Sequence, residues 1–204
     1  MSHHPALIPE PGAPLPAGPN PAALAGLARR RSSSAQTLVA PAPSAGDLRL
    51  MLRLATRVPD HGKLAPWRFI VLDNPAKAAF AARLESLAER RENAAKAVAA
   101  LAKLHNPPLT VAVISKTVEG KIPIWEQQLS AGAVCMNLLH AAHALGFGAS
   151  WITSWYAYDA EALALLGVQP GERVAGYVHI GTQSEAPRER PRAELDSLVE
   201  RWRP

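Results

Sequence analysis

Between Ile124 and Leu145 the chain runs for 22 residues with a single charged side chain, Glu126, and places Leu129, Ala133, Met136, Leu139, His140, Ala142 and His143 at helical spacing. A helix that is apolar almost all round has to be covered on more than one side. This stretch is therefore the core helix of a domain or a subunit interface, and the flanking segments must supply the layers around it. Trp67–Leu72, Leu109–Ile114, Ala149–Ser154 and Arg173–Gly181 are short runs of β-formers bounded by turn residues, which predicts four strands. Helices are expected over residues 22–31, from a Ser44 cap through Leu48, Met51, Leu52 and Ala55, from an Asn74 N-cap with Pro75 at N1 to about His105, and from an Asp159 cap to Leu166.

Composition limits what this alternation can build. At 204 residues the chain fits one compact domain with a sizeable core. Its apolar runs break well short of the ~20 residues a membrane span needs, so no membrane partner is expected. The single cysteine, Cys135, cannot form an internal disulfide and reads as a small core residue in a reducing compartment. Met1–Pro5 lacks the basic and apolar regions of a secretory signal, so a cytoplasmic protein is expected. Seven of the nineteen prolines fall in residues 1–21, which predicts a flexible Pro-rich tail ahead of one domain over residues 22–204. The net charge of +5 is concentrated at Arg29–Arg31 and between Arg188 and Arg203, with no interleaved aromatics and no helix-turn-helix or zinc-finger spacing. That argues against nucleic acid. Two basic clusters at opposite ends of a chain can instead converge on one phosphate.

Arg57, His61 and Lys63 lie within seven residues of a Pro-bounded loop that ends at Trp67 and feeds the first strand. Such a loop suits a planar, electron-rich, partly anionic ligand, and equally a tight connection that caps the preceding helix. Arg30-Arg31-Ser32 combines two guanidinium forks with a hydroxyl, a set suited to a terminal phosphate, or else forms the cationic end of a helix. Gly146-Phe147-Gly148 follows a helix instead of a strand and Trp151 stands where a third glycine would, so it is not a dinucleotide fingerprint, and no Walker A sequence exists. Any nucleotide phosphate must be held by side chains. His140 and His143 lie three apart without a further ligand, so no metal is expected. Ser32–Ser34 with His61 and Asp60 lack a nucleophile elbow.

Taken together, Arg30-Arg31-Ser32, the loop from Arg57 through Asp60-His61 to Pro66-Trp67, Trp125-Glu126, Gly146-Phe147-Gly148 with Trp151, and Gly181-Thr182 followed by Arg190-Pro191-Arg192 resemble the nitroreductase family of flavin mononucleotide (FMN) dependent oxidoreductases, in its small, minimal-length branch. The resemblance covers about residues 24 to 203. It implies an α+β fold with a central, mostly antiparallel sheet flanked by helices, and an intertwined homodimer with two FMN sites at the subunit interface. Arg30, Arg31 and Ser32, joined by Arg190 or Arg192, would hold the phosphate and ribityl chain. Arg57 and His61 would face the ring or its ribityl end, and Trp151, Ile152 and Thr153 would pass beside the ring. Ala141, Ala142, His143, Ala144, Leu145 and Gly146 match a segment associated with the nicotinamide cofactor. No protein catalytic residue is implied, since the flavin carries the chemistry. The expected reaction is ping-pong hydride transfer from NAD(P)H through the flavin to a nitroaromatic, quinone or similar conjugated acceptor. Dehalogenation, flavin fragmentation and flavin binding without turnover are the alternatives on the same scaffold.

Overall fold

The computed structural model describes residues 7–204. The stretch of the tail that falls on residues 1–6 lies outside the described residues, and no helix or strand precedes Pro21 among those described. Helix α1 (Pro21–Arg29) starts from an Asn20 cap, with Pro21 at a position where its missing N–H costs nothing. Strand β1 (Leu38–Val39) and helix α2 (Ala45–Ala55) follow. Ser44 and Asp47 close a reciprocal capping box at the start of α2. Then come β2 (Trp67–Leu72), α3 (Asn74–Ala88), α4 (Ala94–Ala100), α5 (Ala102–His105), β3 (Leu109–Ser115), α6 (Ile124–Ala144), β4 (Gly148–Ile152), α7 (Ala160–Leu166) and β5 (Arg173–Gln183).

The five strands form one sheet in which every pairing is antiparallel. β5 is its hub, pairing with β1, β3 and β4, while β2 adds to the far edge of β3. α2 and α6 cover one face through Met51, Ala55, Val134, Cys135 and Leu138, which meet Val111, Val113 and Val178 of the sheet. The other face is covered by α3, α4, α5 and α7, where Phe80, Leu84, Leu101 and Leu104 enclose Ala112, Ile114 and Tyr177. Strand alternation thus sends odd and even residues of β3 into separate cores. The expected α+β architecture is present.

Four expectations need correction. The single helix over 74–105 is three helices. Unbroken, it would be ~48 Å long, and its centre, Glu89-Arg90-Arg91-Glu92-Asn93, offers nothing apolar to bury. The chain breaks there, and each piece turns its own apolar side to the second core. The cap of α3 is Asp73, whose carboxylate accepts from the Ala76 N–H at 3.2 Å, so that Asn74 and Pro75 move one position into the helix. β4 ends at Ile152, ahead of a 3₁₀ turn over Trp155–Ala157, and β5 runs on to Gln183 because it gains β1 as a partner. The two-residue β1 is too short to leave a periodic signature in the sequence. No helix among the described residues is long and apolar enough to cross a membrane.

Candidate functional site

α6 organises the candidate site. Its inward residues, Ala131, Val134, Cys135, Leu138 and Ala142, are fully buried, whereas Trp125 and Leu129 are 66% and 54% exposed on its outer side. The loop after α2 is fastened along this helix. The Asn137 Nδ2 donates to the Arg57 carbonyl at 2.9 Å, the Ser130 hydroxyl to the Pro59 carbonyl at 2.5 Å, and the His61 Nδ1–H to Glu126 Oε2 at 2.7 Å. Asp60 closes the loop from within, accepting from the Leu64 and Ala65 N–H groups at 3.0 and 2.9 Å. These fastenings hold Lys63 and Ala65 at φ values of 54° and 45°. Non-glycine residues in that region cost of order 1–3 kcal/mol each and persist where the surroundings over-determine them, commonly at ligand sites. The Arg57 side chain is exposed and borders a groove with Arg53, Val58 and the tail residue Ile8.

A second centre lies at the other end of α6. α1 ends at Arg29, and Arg30 and Arg31 follow in extended backbone, half-buried. Arg30 Nη1 is buried with no hydrogen-bond partner among the described residues. Burial, with the neighbouring Arg31 and Arg192 charges, lowers the Arg30 pKa from its ordinary value. Burial, Arg30 and His143 lower that of His140 likewise. Arg31 Nε donates to the Arg188 carbonyl at 3.1 Å and lies 3.5 Å from Glu189, whose carboxylate also meets Arg192 at 3.4 Å. The backbone N–H of Arg190, then the Arg192 and Arg31 charges, hold the Glu189 carboxyl below the usual range. Two ends of the sequence more than 150 residues apart therefore form one cationic cluster. Arg192 contributes its side chain to it, whereas the contact made by Arg190 runs through its backbone N–H.

Ser32 is exposed, while the adjacent Ser33 is buried and locks the segment to the sheet. Its N–H donates to the Ala149 carbonyl at 3.0 Å and its Oγ accepts from Gln183 Nε2 at 2.9 Å. Gly148 makes room for this junction. A Cβ there would meet Gln183 Cγ at 2.4 Å and Ser33 Oγ at 2.8 Å.

Trp151 faces α6, with its ring over Gly176, and its Nε1 donates to the Ala175 carbonyl at 3.1 Å. Ala175 is the extra residue of the bulge between β3 and β5, which frees that carbonyl for the indole. Ile152 is half-buried and Thr153 exposed, its hydroxyl accepting from the Tyr158 hydroxyl at 3.1 Å. Of the segment 141–146, Ala141 and Ala142 are buried in the first core, His143, Ala144 and Gly146 are exposed, and Leu145 is half-buried. Sequence reasoning passed over Glu126 and His140 as site residues. The pairing of Glu126 with His61 across 65 positions left no local signal, although its place in the first turn of an otherwise uncharged helix did single it out. Among the described residues no group of three or more His, Cys, Asp or Glu side chains could hold a metal ion.

Residues 27–182 match the nitroreductase family. The chain is 34% identical over 158 residues to the Escherichia coli K12 protein named "Putative NAD(P)H nitroreductase YdjA", a match spanning 76% of this chain and 85% of that protein. Among solved structures, the nitroreductase-like family protein of Bacillus cereus superposes with a TM-score of 0.78 at 22% identity, over 88% of this chain and 95% of that one. A nitroreductase with bound FMN from Bacteroides fragilis gives 0.67 at 19%, over 88% and 98%. With its antiparallel sheet and these matches, the chain belongs to the nitroreductase family.

Proposed function

We propose that this protein is an FMN-dependent NAD(P)H oxidoreductase that passes hydride to nitroaromatic, quinone or similar conjugated acceptors in a ping-pong cycle. The observation that carries the reading is Arg30 Nη1, a buried guanidinium nitrogen without a hydrogen-bond partner among the described residues, set among Arg31, Arg192 and His140. A desolvated cation flanked by like charges is unfavourable unless an anion completes it. A phosphate accepts from several guanidinium N–H groups at once. The FMN phosphate and ribityl chain fit Arg30, Arg31, Ser32 and Arg192, with Arg190 beside them.

Bound flavin supplies the hydride chemistry. The chain binds, orients and balances charge. His61, turned by Glu126, and Arg57 stabilise the negative charge that reduction places on the ring, and Trp151, Ile152 and Thr153 form its wall. His143, Ala144 and Gly146 are the accessible part of the segment assigned to the nicotinamide cofactor.

His61 at Glu126 and the cationic cluster at His140 are separated by 14 residues of α6, about 21 Å along its axis. An outer stripe begins at the His61 end with the exposed Trp125 and Leu129 and runs toward the cluster through Met136, which is half-buried and packed against the first core. A two-fold pairing of α6 with its copy would cover the stripe and bring the His61 loop of one protomer toward the Arg30 cluster of the other. The exposed C-terminal apolar residues Leu195, Leu198, Val199 and Trp202 would be covered in the same assembly. Anaerobic reduction with NADPH and with NADH, followed by an acceptor screen, tests the catalytic reading. Bound FMN that neither nicotinamide reduces would instead favour a flavin-binding module.

A further inference from the structure

The second face of the sheet carries a cleft that the flavin reading leaves unused. It has a volume of about 820 Å³ and opens between the α3–α4 turn, α4 and α5 on one side and the β4–α7 connection on the other. That volume falls in the usual range for a small-molecule site. The cleft sits over the second core, across the sheet from α6 and the Arg30 cluster, so within one protomer it is separate from the proposed flavin site.

Its wall is preformed. Trp155 Nε1 donates to the Ala97 carbonyl at 3.0 Å, the Arg91 guanidinium stands 4.7 Å from the centre of the Trp155 ring, and Tyr156 meets that ring edge-on. Arg91 is held in turn by Asp159, and Arg90 by Glu161 at 2.9 Å. Leu87, Ala97 and Ala100 give an apolar floor of short side chains.

The polar inventory is not balanced. The lining contains four cations, Arg90, Arg91, Lys96 and Lys103, against three carboxylates, Glu92, Asp159 and Glu161. Both arginines are paired, so among the described residues the free charges are two lysines and Glu92. Lys96, Ala100 and Lys103 are spaced i, i+4, i+7 along two nearly continuous helices, which puts the lysines about 10 Å apart on one side with a small residue between them. Two ammonium groups that are unpaired among the described residues, flanking Ala100 and the stacked Arg91 and Trp155, form a site for an aromatic body bearing an anionic group.

We propose that this cleft binds a small aromatic anion, with the ring against Ala100 and the stacked Arg91 and Trp155 and its carboxylate or phosphate at Lys96 and Lys103. The proposal does not depend on flavin binding. The probes are 2-naphthoate and 2-naphthyl phosphate, with neutral 2-naphthamide as the isostere, titrated into the full chain by calorimetry. In parallel, the five tryptophan indole N–H signals are followed by NMR, the Trp155 signal being assigned from Trp155→Phe. At least one of the two anions is expected to bind at one site per chain and to shift the Trp155 indole signal. The amide, and the anion with Lys96→Ala/Lys103→Ala, should bind at least tenfold more weakly. Both lysines are exposed, so the double variant should keep the wild-type circular dichroism. Which anion binds more tightly distinguishes a carboxylate from a phosphate ligand. The proposal is overturned if neither anion binds, if the amide binds equally well, if the double variant retains the affinity, or if the Trp151 indole shifts while that of Trp155 does not.

Discussion

The indole of Trp151 rests directly on Gly176: a Cβ at position 176 would lie 2.0 Å from Nε1 and 2.3 Å from Cδ1. Because Trp151 is also tied to the Ala175 carbonyl, β4 and the bulge of β5 form one unit beside α6. Gly176→Ala must expel the ring, an overpacking change that costs about 1–3 kcal/mol. Denaturant midpoints should fall accordingly, and flavin content should fall with them as the wall from Trp151 to Thr153 shifts. An unchanged midpoint would contradict this close packing.

Arg30 should show opposite effects on stability and on binding. Arg30→Ala removes a half-buried cation whose Nη1 has no hydrogen-bond partner among the described residues and which Arg31 and Arg192 repel more than Glu189 attracts, so the flavin-free protein should melt at the same temperature or higher. Loss of charge-assisted bonds worth roughly 1.5–3 kcal/mol should weaken FMN retention by about tenfold or more. Arg31→Ala should also weaken it, and the exposed Arg29→Ala should not. Equal flavin content in the Arg29 and Arg31 variants would count against the assignment of the phosphate end.

Glu126→Gln isolates the His61 contact. Both partners are exposed, so the pair contributes at most about 1 kcal/mol to stability and the melting temperature should hardly move. Reduction of bound flavin by NAD(P)H, followed by stopped flow, should slow because His61 loses the carboxylate that orients it. An unchanged rate would remove Glu126 from the functional site.

His179 predicts acid sensitivity. It is buried on the second face with Nδ1 2.8 Å from the Thr110 hydroxyl, and burial, then the Lys77 and Lys103 charges, push its pKa down from 6.5 to about 3. In the unfolded chain the imidazole protonates below about 6.5, whereas in the folded chain it stays neutral. Stability is therefore intact above that value and falls by about 1.4 kcal/mol per pH unit as pH drops from 6.5 toward 3. His179→Asn should flatten this slope in equilibrium unfolding measured across the window. A slope equal to that of the parent would assign the acid response to other groups.

The elements that bury a periodic face were legible from sequence. α2, α6, α7 and four strands could be read from apolar spacing and caps, because the same side chains that set the pattern make the two cores. The break at residues 89–93 was not, since alanine-rich flanks favour helix on both sides and the turn is set by how each piece packs on the second core, with Arg90 and Arg91 paired to α7 and its cap. At the site, Arg30 and Arg31 could be singled out by residue type. The isolation of Arg30 Nη1 and the approach of Arg192 depend on a contact across the whole chain, which no local pattern encodes. Likewise, the role of Gly176 exists only once Trp151 lies on it.

The visible absorption spectrum of the purified chain, taken before and after anaerobic addition of NADPH or NADH, tests the central claim most directly. The account predicts the yellow bands of oxidised flavin at about one FMN per chain, bleached by nicotinamide and largely missing from Arg30→Ala. A colourless wild-type protein that takes up no added FMN would contradict it.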